Sequence, residues 1–191
     1  KYEASYDKDR FNAEQIRLNS HTGTHLDAPF HFFPDGQTVD QLDVSLFQGT
    51  AVIVDLRSVI HPKEGITVAH LAPYADRIGK DSIVLFATGW GPKRSFDQEY
   101  QYDWPYLTGE AAQWLRDKGI KGVGIDAMSM GGWYEGTGRP CHEALLSAGI
   151  WILEEIRIPD ELTERGECYL MTFPLKLQGF SGAPARAVAA V

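Results

Sequence analysis

Cysteine is scarce in this chain, which has only Cys141 and Cys168 among its 191 residues. They do not form a Cys-x-x-Cys pair, so the sequence indicates neither a disulfide framework nor a thiolate zinc site. Basic residues are also in the minority, with 18 Lys and Arg against 26 Asp and Glu and a formal net charge of −8 at pH 7. Because a phosphate backbone requires a basic surface, this balance argues against nucleic acid as a partner.

Long apolar runs are lacking as well. The longest, near residues 144–153, covers about ten residues and contains serine and glycine, whereas a membrane-spanning helix needs ~20 apolar residues. No charged and apolar leader opens the sequence, so we expect no membrane partner and a cytoplasmic location, with a removed leader left open because Lys1 is not a methionine. With 43% hydrophobic residues, the chain is expected to form one domain over residues 1–191.

Short apolar segments alternate with helical patterns along the chain. AVIVDL from Ala51 and SIVLFAT from Ser82 are typical of strands, and TGEAAQWLRDKG is typical of a helix. In that helix, Thr108 is the expected N-cap and Gly119 the expected end. Because strands and helices alternate, the sequence predicts an α/β fold, a single domain with a mixed β-sheet flanked by helices.

The segment HTGTHLDAPFH is the part of the chain least easily explained by folding alone. On a strand, four of its side chains would point to one face, because they occupy alternate positions: His21, His25, Asp27 and His31. A straight strand rises about 3.3 Å per residue and would hold the first two histidines roughly 13 Å apart, too far for one ion with bonds of ~2 Å. We therefore predict a strand that bends at Gly23, which can adopt a positive φ, and that runs at a sheet edge or leaves the sheet at Pro29.

Four such groups on one face indicate a metal site. No Lys or Arg lies between Arg17 and Arg57 in sequence to balance a carboxylate among several imidazoles. A cation is therefore expected to meet them. The competing interpretation is a structural cluster, because a single histidine in a core or an aspartate near a proline usually serves hydrogen bonding or a turn.

The same segment resembles the signature of the metal-dependent cyclase family, which includes bacterial kynurenine formamidase and isatin hydrolase. That signature is His-x-Gly-Thr-His-x-Asp-x-Pro-x-His, and every fixed position matches. The resemblance continues through FFPDGQTVDQL, GIDAMS, HEALLSAGIWILEE and PLKLQGFSGAPARAV. It implies a swivelling β/β/α type of fold and a homodimer or homotetramer. Family members usually begin with a strand and an aromatic-bearing loop ahead of the equivalent of Tyr2, and we find no counterpart of them in the sequence.

The resemblance also implies a second half of the site. In the formamidases, a later histidine and a glutamate twelve residues on hold a second ion that shares the aspartate, and His142 and Glu154 have this spacing. Local patterns predict a short helix over HEALLSA, which Gly149 can end, and a strand over IWILEEI. His142 would lie in the first helical turn, where the helix dipole disfavours protonation.

Glu154 would share a strand face with Ile152 and Ile156. A carboxylate on an apolar face is costly unless a cation or hydrogen bonds meet it. The alternative is a partly exposed edge strand.

The resemblance therefore implies a binuclear centre. The expected ligands are His21, His25 and Asp27 for one divalent ion, and Asp27, His142 and Glu154 for a second. Zinc, two per chain, is the expected metal and manganese the alternative. His31 resembles the acid/base residue of the family, and the alternative is that it is a further ligand. A metal-activated water would then cleave the C–N bond of a small amide.

The expected substrate is an aryl formamide such as N-formylkynurenine, with isatin-like ring opening as the alternative. Phe30, Phe32 and Phe33 could stack on an aryl ring, and they could equally be core residues. Met130 and Gly131 depart from the formamidases, in which an acidic residue closely follows the serine of this segment. The competing hypothesis of another class is a non-catalytic domain that binds a metal or a small molecule.

Overall fold

The computed structural model describes residues 2–191. Its strands are β1 (Tyr2–Ala4), β2 (Ala13–Glu14), β3 (His25–Asp27), β4 (Gln48–Asp55), β5 (Gly65–Ile66), β6 (Ile83–Ala87), β7 (Tyr106–Leu107), β8 (Gly122–Ile125), β9 (Trp151–Glu154), β10 (Glu167–Pro174) and β11 (Gly182–Ala190). Its α-helices are α1 (Tyr6–Asp9), α2 (Val68–Leu71), α3 (Gln98–Tyr102), α4 (Gly109–Asp117), α5 (Arg139–Leu146) and α6 (Asp160–Arg165).

Seven of these strands close into a barrel in the order β10-β11-β3-β9-β8-β6-β4. The pairs β4–β6, β6–β8 and β8–β9 are parallel. The pairs β9–β3, β3–β11, β11–β10 and β10–β4 are antiparallel. The prediction of an α/β fold with a mixed sheet is therefore confirmed. The sequence did not predict that the sheet closes into a barrel. Closure depends on the pairing of β4 with β10, which no local pattern specifies.

The parallel strands are buried on both faces, which explains their continuous apolar sequences. Ile53 and Leu85 belong to a cluster inside the barrel, to which every barrel strand except β8 contributes. Their neighbours Val52 and Val84 belong to a second cluster, between the sheet and α4 and α5. The predicted cap of α4 is present, because the Thr108 hydroxyl accepts a hydrogen bond from an amide in the first turn. No helix in residues 2–191 has the length and apolarity to cross a membrane.

Asp126, which follows β8, ties the ends of two parallel strands together. Its side chain is 3% exposed. Its carboxylate accepts hydrogen bonds from the backbone N–H groups of Thr88, Gly89 and Gly91 and from the Thr88 hydroxyl. Burial raises the pKa of this carboxyl above its ordinary value, and these hydrogen bonds oppose that rise. The residue therefore organises the loop after β6.

We expect Asp126→Ala to lower the free energy of unfolding by about 3 kcal/mol, because it leaves buried backbone N–H groups without an acceptor. Urea denaturation would measure the change. Asp76→Ala, at an exposed position, is the matched control and should stay within about 0.5 kcal/mol of the unaltered protein. Equal stability of the two variants would contradict the structural role given to Asp126.

Candidate metal centre

The segment from His21 to His31 is a strand only in its middle. β3 covers His25–Asp27, and Gly23 ahead of it has a φ of +64°. Pro29–His31 form a single 3-10 turn. The predicted bend at Gly23 is confirmed. Of the two expectations at Pro29, the segment leaves the sheet there and begins a helical turn, whereas an edge position is wrong because β3 pairs on both sides. The two bends bring the rings of His21 and His31 into a stack with centroids 4.1 Å apart.

The pairing of β3 with β9 builds the buried centre of the site. His25 lies opposite Glu154 in the register, and these two side chains and Asp27 are all 5% exposed or less. The Nε2 atom of His25 is 3.4 Å from Asp27 Oδ1 and 3.4 Å from Glu154 Oε2. Since Leu26 points into the barrel, its two neighbours point outward, towards α5.

Glu154 lies on the outer, helix-covered face of its strand, as the alternation with Ile152 predicts. The expectation that Ile156 shares this face is wrong. Glu155 has a φ of +52°, which interrupts the alternation. Ile156 consequently packs inside the barrel.

Backbone carbonyls fix the orientation of two imidazoles. Nδ1 of His142 donates to the Gly138 carbonyl at 2.8 Å, and Nδ1 of His25 donates to the Gly23 carbonyl at 2.7 Å. A carbonyl can only accept, so each of the two imidazoles carries a proton on Nδ1, and its Nε2 atom faces the carboxylates. Nε2 of His142 is 3.3 Å from Glu154 Oε1 and 3.8 Å from Asp27 Oδ2.

The sequence places His142 at the start of a helix, but α5 begins three residues earlier, at Arg139. Burial alone would lower the pKa of His142, yet contacts with Cys141 and Glu154 raise it well above its ordinary value. The expected effect of the helix dipole is therefore outweighed by the neighbouring groups.

His21 joins the site from outside the strand. Its Nδ1 is 2.7 Å from Asp27 Oδ1, and its Nε2 is 2.9 Å from the Ser181 hydroxyl. The ring packs against Gly182, where a Cβ would lie 2.6 Å from His21 Cε1. Our sequence reasoning did not select Ser181 as a site residue. The sequence feature that could have indicated it is the pair of small residues Ser181 and Gly182 at the start of the last strand, which a bulky ring can approach closely.

His31 is exposed and lies beside the other imidazoles, with its ring centroid 6.1 Å from that of His142. Desolvation by its surroundings lowers the pKa of His31, against the opposing effect of the Asp27 charge. A neutral, accessible imidazole can accept a proton at neutral pH.

The two buried carboxylates strongly favour a positive charge next to them. Burial and repulsion by Glu154 would raise the pKa of Asp27, but the neighbouring imidazoles of His21 and His25 hold it below its ordinary value. The pKa of Glu154 is likewise lowered, because His142 and His25 outweigh its burial. Burial opposes protonation of His25, yet the two carboxylates raise its pKa to about 11. Charges that hold a proton this strongly would also hold a cation.

Two buried atoms of the site lack a hydrogen-bond partner within residues 2–191, namely His25 Nε2 and Asp27 Oδ2. Unpaired buried nitrogen and oxygen are costly, and imidazole and carboxylate are donors that zinc and manganese accept. The residues therefore fit a divalent ion.

The donor atoms form two groups, each with all members within 4.8 Å of one another: His21 with Asp27 and His31, and His25 with Asp27 and Glu154. Both groups contain Asp27, the ligand expected to be shared. The grouping otherwise differs from the expected division, since His25 lies with Glu154 and His31 lies with His21. The roles assigned to individual residues stay predictions.

The site opens into a cavity of about 410 Å³. Besides the histidines, its wall includes Phe32, Met128, Ser129, Arg139 and Glu155. Phe32 stacks on His142, with centroids 4.7 Å apart and rings 11° from parallel. One aromatic side chain of the signature region thus lines the cavity, as a substrate-stacking residue would. The cavity gives a small molecule access to the donor atoms.

Known proteins resemble this chain in sequence and in fold. The family model described as "Putative cyclase" matches residues 2–131. Kynurenine formamidase of Bacillus cereus is 33% identical over 98% of this chain and 85% of its own length. A solved structure of a potential metal-dependent hydrolase with cyclase activity is 32% identical with a TM-score of 0.81, over 99% of this chain and 85% of that one. An isatin hydrolase bound to the product analogue thioisatinate is 26% identical with a TM-score of 0.88, over 100% and 80%.

These relatives confirm the prediction of a metal-dependent hydrolase and disfavour the hypothesis of a non-catalytic binding domain. The family model covers more than half of the chain, and the relatives cover nearly all of it. The chain therefore belongs to the cyclase family of metal-dependent hydrolases.

Proposed function

We propose that this protein is an arylformamidase that hydrolyses the formyl C–N bond of an aryl formamide such as N-formylkynurenine. The observation that carries the proposal is the juxtaposition of unpaired, buried donors on His25 and Asp27 with the accessible imidazole of His31. Such a site can activate water without a nucleophilic side chain.

The ligands in this proposal are His21, His25, Asp27, His142 and Glu154. When bound, zinc or manganese supplies a water of lowered pKa and polarises the amide carbonyl. A ring nitrogen of His31 takes the proton from the attacking water and returns it to the departing arylamine nitrogen. The C–N bond breaks, and formate and the free amine leave. Phe32 presents a flat apolar face on which the aryl ring can stack.

Arg139 favours a substrate that carries a carboxylate. It is the one Lys or Arg among the described residues that line the cavity. Its guanidinium lies 5.9 Å from the centroid of Phe32, and its Nε donates to Glu143. The remaining guanidinium N–H groups can pair with an anionic substrate group. N-formylkynurenine has such a group and neutral isatin does not, so we place isatin hydrolysis second, supported by the likeness to the isatin hydrolase structure.

Removal and return of metal would test the proposal. We expect about two divalent ions per chain and a higher kcat/KM for N-formylkynurenine than for isatin. Dialysis against a chelator should abolish that turnover, and zinc or manganese should restore it. Elemental analysis and product absorbance would provide the readouts. A preference for isatin would favour the second candidate, and a metal-loaded protein that hydrolysed neither compound would refute the proposed activity.

A further inference from the structure

We propose that residues 129–138, which connect β8 to α5, form a clamp that positions two of the expected metal ligands, Glu154 and His142. The clamp acts through these ligands. Ser129 and Gly138 also line the cavity, and we assign them a positioning role because their hydrogen bonds are made to Glu154 and His142. The inference rests on the proposed function, because it concerns the same site.

The first end of the clamp holds Glu154. The Ser129 hydroxyl donates to Glu154 Oε1 at 2.8 Å, and the backbone N–H of Met130 donates to the same oxygen at 2.6 Å. The other oxygen, Oε2, faces Nε2 of His25 at 3.4 Å. Two donors on one oxygen fix the plane of the carboxylate and leave the second oxygen directed into the donor cluster. Partners of this kind orient ligands and set metal affinity.

The second end holds His142. The Gly138 carbonyl, one residue before α5, accepts the Nδ1 proton of that imidazole at 2.8 Å. This hydrogen bond determines which ring nitrogen faces the carboxylates. A shift of the carbonyl would therefore rotate the ring away from Glu154 and Asp27.

Backbone contact through glycines joins the two ends. A Cβ on Gly131 would lie 2.3 Å from the Gly138 carbonyl oxygen and 2.7 Å from Gly138 Cα. A Cβ on Gly132 would lie 2.4 Å from Thr137 Oγ1. Any side chain at position 131 would therefore displace the carbonyl that orients His142. A change at one end of the clamp is transmitted to the ligand held by the other end.

The core fixes the base of the clamp. The indole N–H of Trp104, which is 6% exposed, donates to the Gly131 carbonyl at 2.8 Å. The backbone N–H of Leu107 donates to the Met130 carbonyl at 2.8 Å. Met130 itself is fully buried. Met130 and Gly131 depart from the formamidase pattern, and the features that the clamp uses there are the backbone N–H of Met130 and the absence of a side chain at Gly131.

The experiment compares Ser129→Ala and Gly131→Ala with Gly79→Ala. Gly79 is the matched control, because a Cβ there meets no atom within 4 Å. Each protein would be loaded with Co²⁺, its visible absorption recorded, and release of the ion to excess chelator timed. We expect both clamp variants to release Co²⁺ at least tenfold faster, on the order of the usual effect of removing a hydrogen-bond partner of a metal ligand. Their Co²⁺ absorption spectra should also change. Ser129→Thr, which keeps the hydroxyl, should restore the wild-type release rate.

Clamp variants with the spectrum and release rate of Gly79→Ala would overturn the inference. Circular dichroism would show whether each variant is folded. If Gly131→Ala does not fold, the comparison of Ser129→Ala with Ser129→Thr decides whether the clamp positions the ligands. A wild-type chain that bound no divalent ion would refute both the clamp and the proposed function. If the wild-type chain bound a divalent ion and the clamp variants released it at the control rate, the clamp alone would be refuted.

Discussion

Asp27→Asn is expected to remove both of the proposed metal ions and to lower kcat/KM by roughly 10⁴-fold or more, because in the proposed mechanism the nucleophile and the carbonyl polarisation depend on the metal. Asp27 belongs to both donor groups. The substitution keeps the shape of the side chain and removes the charge that, with Glu154, raises the pKa of His25. Elemental analysis of the purified variant and an assay with N-formylkynurenine would measure the two losses.

Asp76→Asn is the control for Asp27→Asn, because it removes one carboxylate at an exposed position. It should keep wild-type metal content and activity. An Asp27→Asn protein that retained two ions per chain would show that this residue is not the shared ligand.

His31→Gln is expected to retain metal and to lower kcat by about 10²- to 10⁴-fold, the usual contribution of a general acid and base. His31 is exposed, so its replacement should change the free energy of unfolding by less than about 0.5 kcal/mol. The measurement pairs kcat for N-formylkynurenine with metal content. His61→Gln, another exposed histidine, is the matched control.

The same variant separates the two interpretations of His31. It lies in a donor group with His21 and Asp27. If His31→Gln lost an ion together with its activity, His31 would be a ligand. If it retained both the ions and wild-type turnover, the proton-transfer role would be wrong.

Local sequence was sufficient for much of the ligand segment. The spacing of its histidines required a bend, and Gly23 has the positive φ that permits one. The cap at Thr108 and the apolar strands β4 and β6 also follow from nearby residues alone. Prediction failed at Glu155, where a positive φ interrupts regular strand geometry, and at Pro29 it did not decide that a helical turn follows the strand. Such local departures depend on the loops and helices packed against them.

The sequence by itself determined which donor groups are available, because imidazole and carboxylate at His21, His25, Asp27 and His31 are suited to a divalent ion once the chain bends to bring them together. Tertiary structure alone decided which distant groups complete the site. Glu154 meets His25 through the register of β3 and β9. A slip of one residue in that register would turn Glu154 into the barrel. The clamp at residues 129–138 and the contact of Ser181 with His21 likewise depend on close backbone packing between segments far apart in the chain, which no local pattern encodes.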